Sequence, residues 1–278
     1  MKRSCIIAII SAVSTSAFGQ PARSTFETSI AGEDRMALVK NSIHLTAWHE
    51  KPFWKLYENY AAKKDEAPLT YATVDDLAKT DKTVSDEVAL ENGQKLLAFR
   101  NEEIAVWKQY YMEVGAAHNG VIALQFLQTE ALLDIMQSSN IYEGTPQRNF
   151  YFHPKALAST QSSQAKYATM TKALTIAPEE SEAFFAIYAK YEAECTDMLG
   201  ENYNLFELYI GDPSDYTPAL AKTLGNSLLI VMKREIKLRE KYFAEMNTAM
   251  GPSLAARFLA WEDYYSSVSK MYVWNDAP

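Results

Sequence analysis

The sequence predicts an all-α protein made of two tandem copies of an antiparallel helical hairpin or bundle unit, and three observations carry that expectation. Apolar residues recur at steps of three and four, no segment alternates long enough to read as a strand, and distant stretches match in register. "ALQFLQTEALL" at 123–133 and "AARFLAWEDYY" at 255–265 pair Ala123 with Ala255, Phe126 with Phe258, Leu127 with Leu259 and Glu130 with Glu262. "FWKLYENY" at 53–60 lies on "FFAIYAKY" at 184–191, with Phe53 on Phe184, Tyr57 on Tyr188 and Tyr60 on Tyr191. Glu103, Ile104 and Tyr110 fall on Glu235, Ile236 and Tyr242, and the spacing changes by one residue between the first block and the others. So small a change over so long a match is what tandem duplication followed by drift leaves.

The elements follow in order. Lys2 and Arg3, the apolar run "CIIAIISAV" and the small residues Ala17 and Gly19 make residues 1–20 a secretory signal, with cleavage near Gly19 or Gln20. Cys5 begins that run instead of ending it, so it is not the modified cysteine of a lipoprotein signal. An exported, periplasmic or secreted product is expected. Helical repeat 1 covers 33–143, the linker 144–163 with its two prolines and polar tail, and helical repeat 2 covers 164–275. In repeat 1, Pro68 interrupts what would be a long first helix, and "LTYATVDDLAKTDKT" reads as a break or kink. Helix resumes near Val84, runs to about Val114, and turns at His118, Asn119 and Gly120. In repeat 2, Pro178, Glu179 and Glu180 open a helix whose stripe is Phe184, Ile187, Tyr188, Tyr191, Cys195 and Met198, ending before "GDPSD". Thr217 caps the next helix and Pro218 starts it. Its stripe of Leu224, Leu228, Val231, Leu238 and Tyr242 runs to Gly251 and Pro252, and a closing helix extends from about Ser253 towards Met271. Each copy thus holds a short leading helix, two long antiparallel helices and a closing helix.

Charge and motif content narrow the function. The formal net charge of -8 becomes -10 once Lys2 and Arg3 leave with the signal, which argues against nucleic acid as a partner. Cys195 is the one cysteine outside the signal, so no internal disulfide is expected and stability must come from the core. No later segment approaches the ~18 consecutive apolar residues of a membrane span. Phosphate loops, nucleophile elbows, Cys-x-x-Cys-His and Gly-rich fingerprints are missing, and His44, His49, His118 and His153 lack ligand spacing. The expectation is therefore a protein that is not an enzyme and carries no cofactor. Glu103, Glu130, Glu235 and Glu262 lie on or beside apolar stripes, where helical bundles can build carboxylate-bridged dimetal sites, but no histidine stands three residues after a glutamate. A small-ligand or metal-binding bundle using those glutamates is the alternative, and paired structural carboxylates are the plainer account.

The helix starts "LTAWHEKPFWKLYENY" (45–60) and "LTIAPEESEAFFAIYAKY" (174–191), behind a signal-like segment, resemble those of the Spy and CpxP type of periplasmic helical proteins and of exported relatives with an aromatic Phe-Trp-x-x-Tyr helix. In those relatives a Leu-Thr-x-x-Gln element precedes the first long helix, and a later segment ends in an ARF-x-Q-x-E-like run. "ALQFLQTE" and "AARFLAWE" match that run, with Gln128 kept in the first copy and Ala260 in its place in the second. At the Gln of the earlier element stand His49 and, in register, Glu180, with Ile176 and Ala177 for Leu and Thr. The resemblance implies helical hairpins packed into a cradle and an envelope role as an ATP-independent chaperone or stress-signalling accessory. Unfolded or envelope proteins would be the partners, with Trp54, Tyr57, Tyr188 and Tyr191 giving contacts or the packing behind them. A purely architectural envelope protein is the third reading.

Overall fold

The computed structural model describes residues 33–65, 84–143, 163–200 and 216–275. The expected signal peptide, the break around Pro68, all of the linker except Ser163 and the stop before Gly211 lie outside the described residues. Every regular element among the described residues is an α-helix. In order these are α1 (Glu33–Ser42), α2 (Ala47–Asp65), α3 (Asp86–Ala117), α4 (Gly120–Glu143), α5 (Ser163–Ala173), α6 (Pro178–Gly200), α7 (Pro218–Met250) and α8 (Pro252–Asn275). Their lengths of 10, 19, 32 and 24 residues are followed by 11, 23, 33 and 24, so the second four helices run in the same order of length as the first four.

Local chemistry sets the boundaries. Ser85 Oγ accepts from the Val88 N–H at 3.4 Å and Thr217 Oγ1 from the Leu220 N–H at 3.2 Å, matched caps that start α3 and α7. Asn119 Oδ1 accepts from the Val121 and Ile122 N–H groups at 2.9 and 3.0 Å and opens α4. Between α7 and α8 the turn is made by Gly251, whose φ of 87° suits a residue without Cβ, and Pro252 begins α8.

The two halves do not form separate lobes. α3 packs on α4 and α7 on α8 as hairpins, and α3 and α4 each also pack on both α7 and α8. Outside this four-helix centre, α2 lies on α3, α6 on α7 and α1 on α4. A reciprocal contact shows the symmetry. A Cβ on Gly93 of α3 would come within 2.5 Å of the Phe243 ring of α7, and one on Gly225 of α7 within 2.5 Å of Tyr111 Oη of α3. Gly93 matches Gly225 and Tyr111 matches Phe243 in the internal register, so this is one contact seen from both halves, related by an approximate twofold axis. Both core clusters accordingly mix the halves: Leu96 and Phe99 join Phe184, Tyr188 and Phe258 in one, and Leu228 and Leu229 join Tyr57, Trp107 and Phe126 in the other. Among the described residues no helix is long and apolar enough to cross a membrane.

Candidate functional site

The recurring glutamates mark the polar interior. Glu130 of α4 has 0% of its surface exposed. Tyr57 and Tyr60, one turn apart on α2, both donate to it, Tyr57 Oη at 3.0 Å. From α1, the Arg35 guanidinium forms an ion pair with Glu130 and donates through Nε to Tyr57 Oη at 3.0 Å. Trp107 Nε1 of α3 donates to Tyr60 Oη at 2.9 Å, and the Lys64 ammonium stands 4.0 Å from Glu130. Burial first, and then the Glu130 charge, hold both tyrosines well above the usual phenol range, so they act as hydroxyl donors. A buried carboxylate needs such a cage, because water no longer solvates it.

The second half builds the same cage with different cations. Tyr188 Oη of α6 donates to Glu262 of α8 at 2.8 Å, and Tyr191 adds a second hydrogen bond. Lys166 of α5 stands where the register places Arg35, and its Nζ also pairs with Glu192 at 2.7 Å. Burial raises the Glu262 carboxyl above the usual range, against the pull of Lys166, Tyr188 and Arg239. Cys195, at the position of Lys64, is half-buried, and burial pushes its thiol up to about 12. It is therefore no thiolate nucleophile near neutral pH.

Between the cages lies an ion network that joins the halves. Arg100 of α3 grips Asp263 of α8 with Nε at 2.9 Å and Nη2 at 2.7 Å, and its Nη1 reaches Glu103 at 2.7 Å and Asp134 at 3.1 Å. Arg239 of α7 meets the same Asp263 at 3.0 Å and Glu235 at 2.7 Å, and Ser266 Oγ donates to Glu235 at 2.8 Å. Burial and the Asp134 charge raise the Glu103 carboxyl, against Arg100 and Lys64. Here the twofold fails: Met232 matches Arg100, Ala131 matches Asp263, and Trp107 matches Arg239.

This geometry bears on each candidate residue. Glu103, Glu130, Glu235 and Glu262 are all engaged by cations or hydroxyls, and among the described residues no group of three or more His, Cys, Asp or Glu is placed to hold a metal ion. Tyr57, Tyr188 and Tyr191 are buried with their hydroxyls on the glutamate cages, so they stand behind the surface and not on it. Trp54 is half-buried, edge-on to Phe53 and Tyr57. Sequence reasoning passed over the cations Arg35, Arg100, Lys166 and Arg239, the Asp263 that two of them share, and Trp48, which is 90% exposed on the first turn of α2. Its position carries a signal, for it lies five residues before Phe53, about 140° round the helix from the buried stripe. Met112 and Leu220 are exposed at the same end of the bundle, where Tyr111 Oη donates to the Lys222 carbonyl at 2.8 Å and Gly120 abuts Pro218. Comparison with known protein families, curated proteins and solved structures finds no match. The functional reading therefore rests on these residues.

Proposed function

We propose that the protein is an exported, non-enzymatic helical binding protein that holds unfolded or envelope proteins without nucleotide, as an ATP-independent chaperone does. The observation that carries this reading is Trp48, an aromatic ring almost wholly in solvent, with Met112 and Leu220 at the same end of the bundle. Burying a large ring is among the strongest contributions one side chain makes to a protein interface, so leaving it in water favours a partner. Tyr57, Tyr188 and Tyr191 then set the rigid wall behind that end or its counterpart, and Trp54 joins wall to surface. The reading of residues 1–20 as a secretory signal supports export, and a product starting at Pro21 in the periplasmic fraction would test it.

The test of binding is light scattering while a denatured client is diluted into buffer with an equimolar amount of the chain from residue 21 and no nucleotide. Scattering is expected to be suppressed, and Trp48→Ala is expected to require several-fold more protein for the same effect. Unchanged scattering with the unmutated chain overturns the chaperone-like reading and leaves a specific envelope partner, a small ligand or an architectural role.

A further inference from the structure

The two histidines at the Trp48 end stand in a relation that the binding reading does not use. His49 follows Trp48 on α2, and His118 closes α3 as its C-cap, immediately before Asn119 opens α4. Their Nδ1 atoms are 2.7 Å apart and their ring centroids 4.9 Å. That centroid separation is close to the Nδ1–Nδ1 distance plus two ring radii, so the nitrogens face each other nearly head-on. Two imidazoles on one ion, each nitrogen about 2.0–2.1 Å from it, would instead hold those nitrogens more than ~3 Å apart. The pair therefore shares a proton, one Nδ1–H donating to the other Nδ1 lone pair.

We propose that His49 and His118 form a proton-operated latch that holds the Trp48-bearing start of α2 against the α3–α4 turn and releases it in acid. The neutral pair makes one hydrogen bond. One added proton keeps it, now charge-assisted, and the carbonyl end of α3 favours a cation at that place. A second added proton leaves two N–H groups facing each other with no acceptor between them, and the rings must part. His118 Nε2 sharpens the effect, because it is buried and has no partner among the described residues, so the His118 imidazolium would also bury an unanswered N–H. Behind the pair Phe53, fully buried, packs on the His118 ring at 6.0 Å between centroids, so parting the rings uncovers its ring.

The charged and titratable groups on the elements that meet here include His44 in the α1–α2 connection, Glu50, Lys51 and Lys55 on α2, Lys108, Tyr111 and Glu113 on α3 and Lys222 on α7. None of them pairs with either ring among the described residues, and the charge acting on His118 is that of His49. Burial first, and then that charge, hold His118 below the usual 6.5. The folded chain thus binds fewer protons than the unfolded chain just below that value. The corner's stability is full above it and is lost as pH falls through the lowered folded value. The second half supplies the control: Glu180 and Met250 occupy the matching positions, and Glu180 Oε2 instead accepts from the Ala177 N–H at 3.0 Å. The latch belongs to one half alone.

The test combines a nitrogen-detected NMR titration of the histidines in the full chain with amide exchange in the first turn of α2. The pair is expected to take its two protons in two separated steps. Exchange in that turn, corrected for its intrinsic pH dependence, is expected to rise about tenfold for each unit by which the second step is delayed. The double variant H49E/H118M, which copies the second half, is expected to show no such rise. Two independent titrations with a common midpoint, or exchange in the unmutated chain that does not change with pH, overturns the latch. Should the variant fold poorly, the titration of the unmutated chain decides by itself.

Discussion

Glu130 and Glu262 occupy matched places, yet their surroundings make them unequal. Glu130 answers the Arg35 guanidinium directly, so Glu130→Gln leaves a half-buried cation without its counter-charge. A loss of about 3–5 kcal/mol is expected from urea unfolding, the usual cost of breaking a buried pair from one side. Glu262→Gln is expected to cost less, because Lys166 keeps Glu192 at 2.7 Å. Glu262 has a pH dependence of its own. Burial raises Glu262 above 4.5, so its contribution to stability is present below that value and is lost as pH rises through the folded one. The unfolding midpoint of Glu262→Gln, followed from about pH 4 to about pH 8, should lack that falling component. The recurrence of Tyr57, Tyr60 and Glu130 in Tyr188, Tyr191 and Glu262 was legible in the sequence, since identity at fixed spacing needs no coordinates. Arg35 and Lys166 were not, for they sit on short helices whose weak stripes give no sign of which neighbour they meet.

At the scale of helices, what could be read from sequence was local and what could not was the pairing. Thr217, Pro218, Gly251 and Pro252 bounded α7 as expected because caps and turns act on their own residues. Periodicity states that a face is apolar and leaves open which face covers it, so the interleaving of α3 and α4 with α7 and α8 was out of reach. The glycines record that interleaving. Gly93→Ala and Gly225→Ala each push a methyl into a ring at 2.5 Å, Phe243 or Tyr111, and a loss of about 1–3 kcal/mol is expected for each in denaturant unfolding. Gly120→Ala is expected to cost more than either. Its Cβ would overlap the Pro218 carbonyl oxygen, and backbone inside a helix start cannot swing aside as a ring can.

For the whole molecule, the position of Asp263 predicts how the chain comes apart. Its carboxylate takes Arg100 from the first half and Arg239 from the second, in the middle of four helices that all touch one another. Neither hairpin can leave without exposing apolar faces of both core clusters and breaking that junction. The halves should therefore unfold in one calorimetric transition, and a protease site inserted within 144–162 should, once cut, yield two fragments that co-elute until denaturant is added. Arg100→Met, which copies Met232 at the matched place, removes the guanidinium that Asp263, Glu103 and Asp134 share. It is expected to cost about 3–5 kcal/mol and to let the cut fragments separate at lower denaturant. Fragments that elute apart in plain buffer would show instead that each half covers its own apolar faces. The junction at Asp263 would then be an incidental contact between two finished domains.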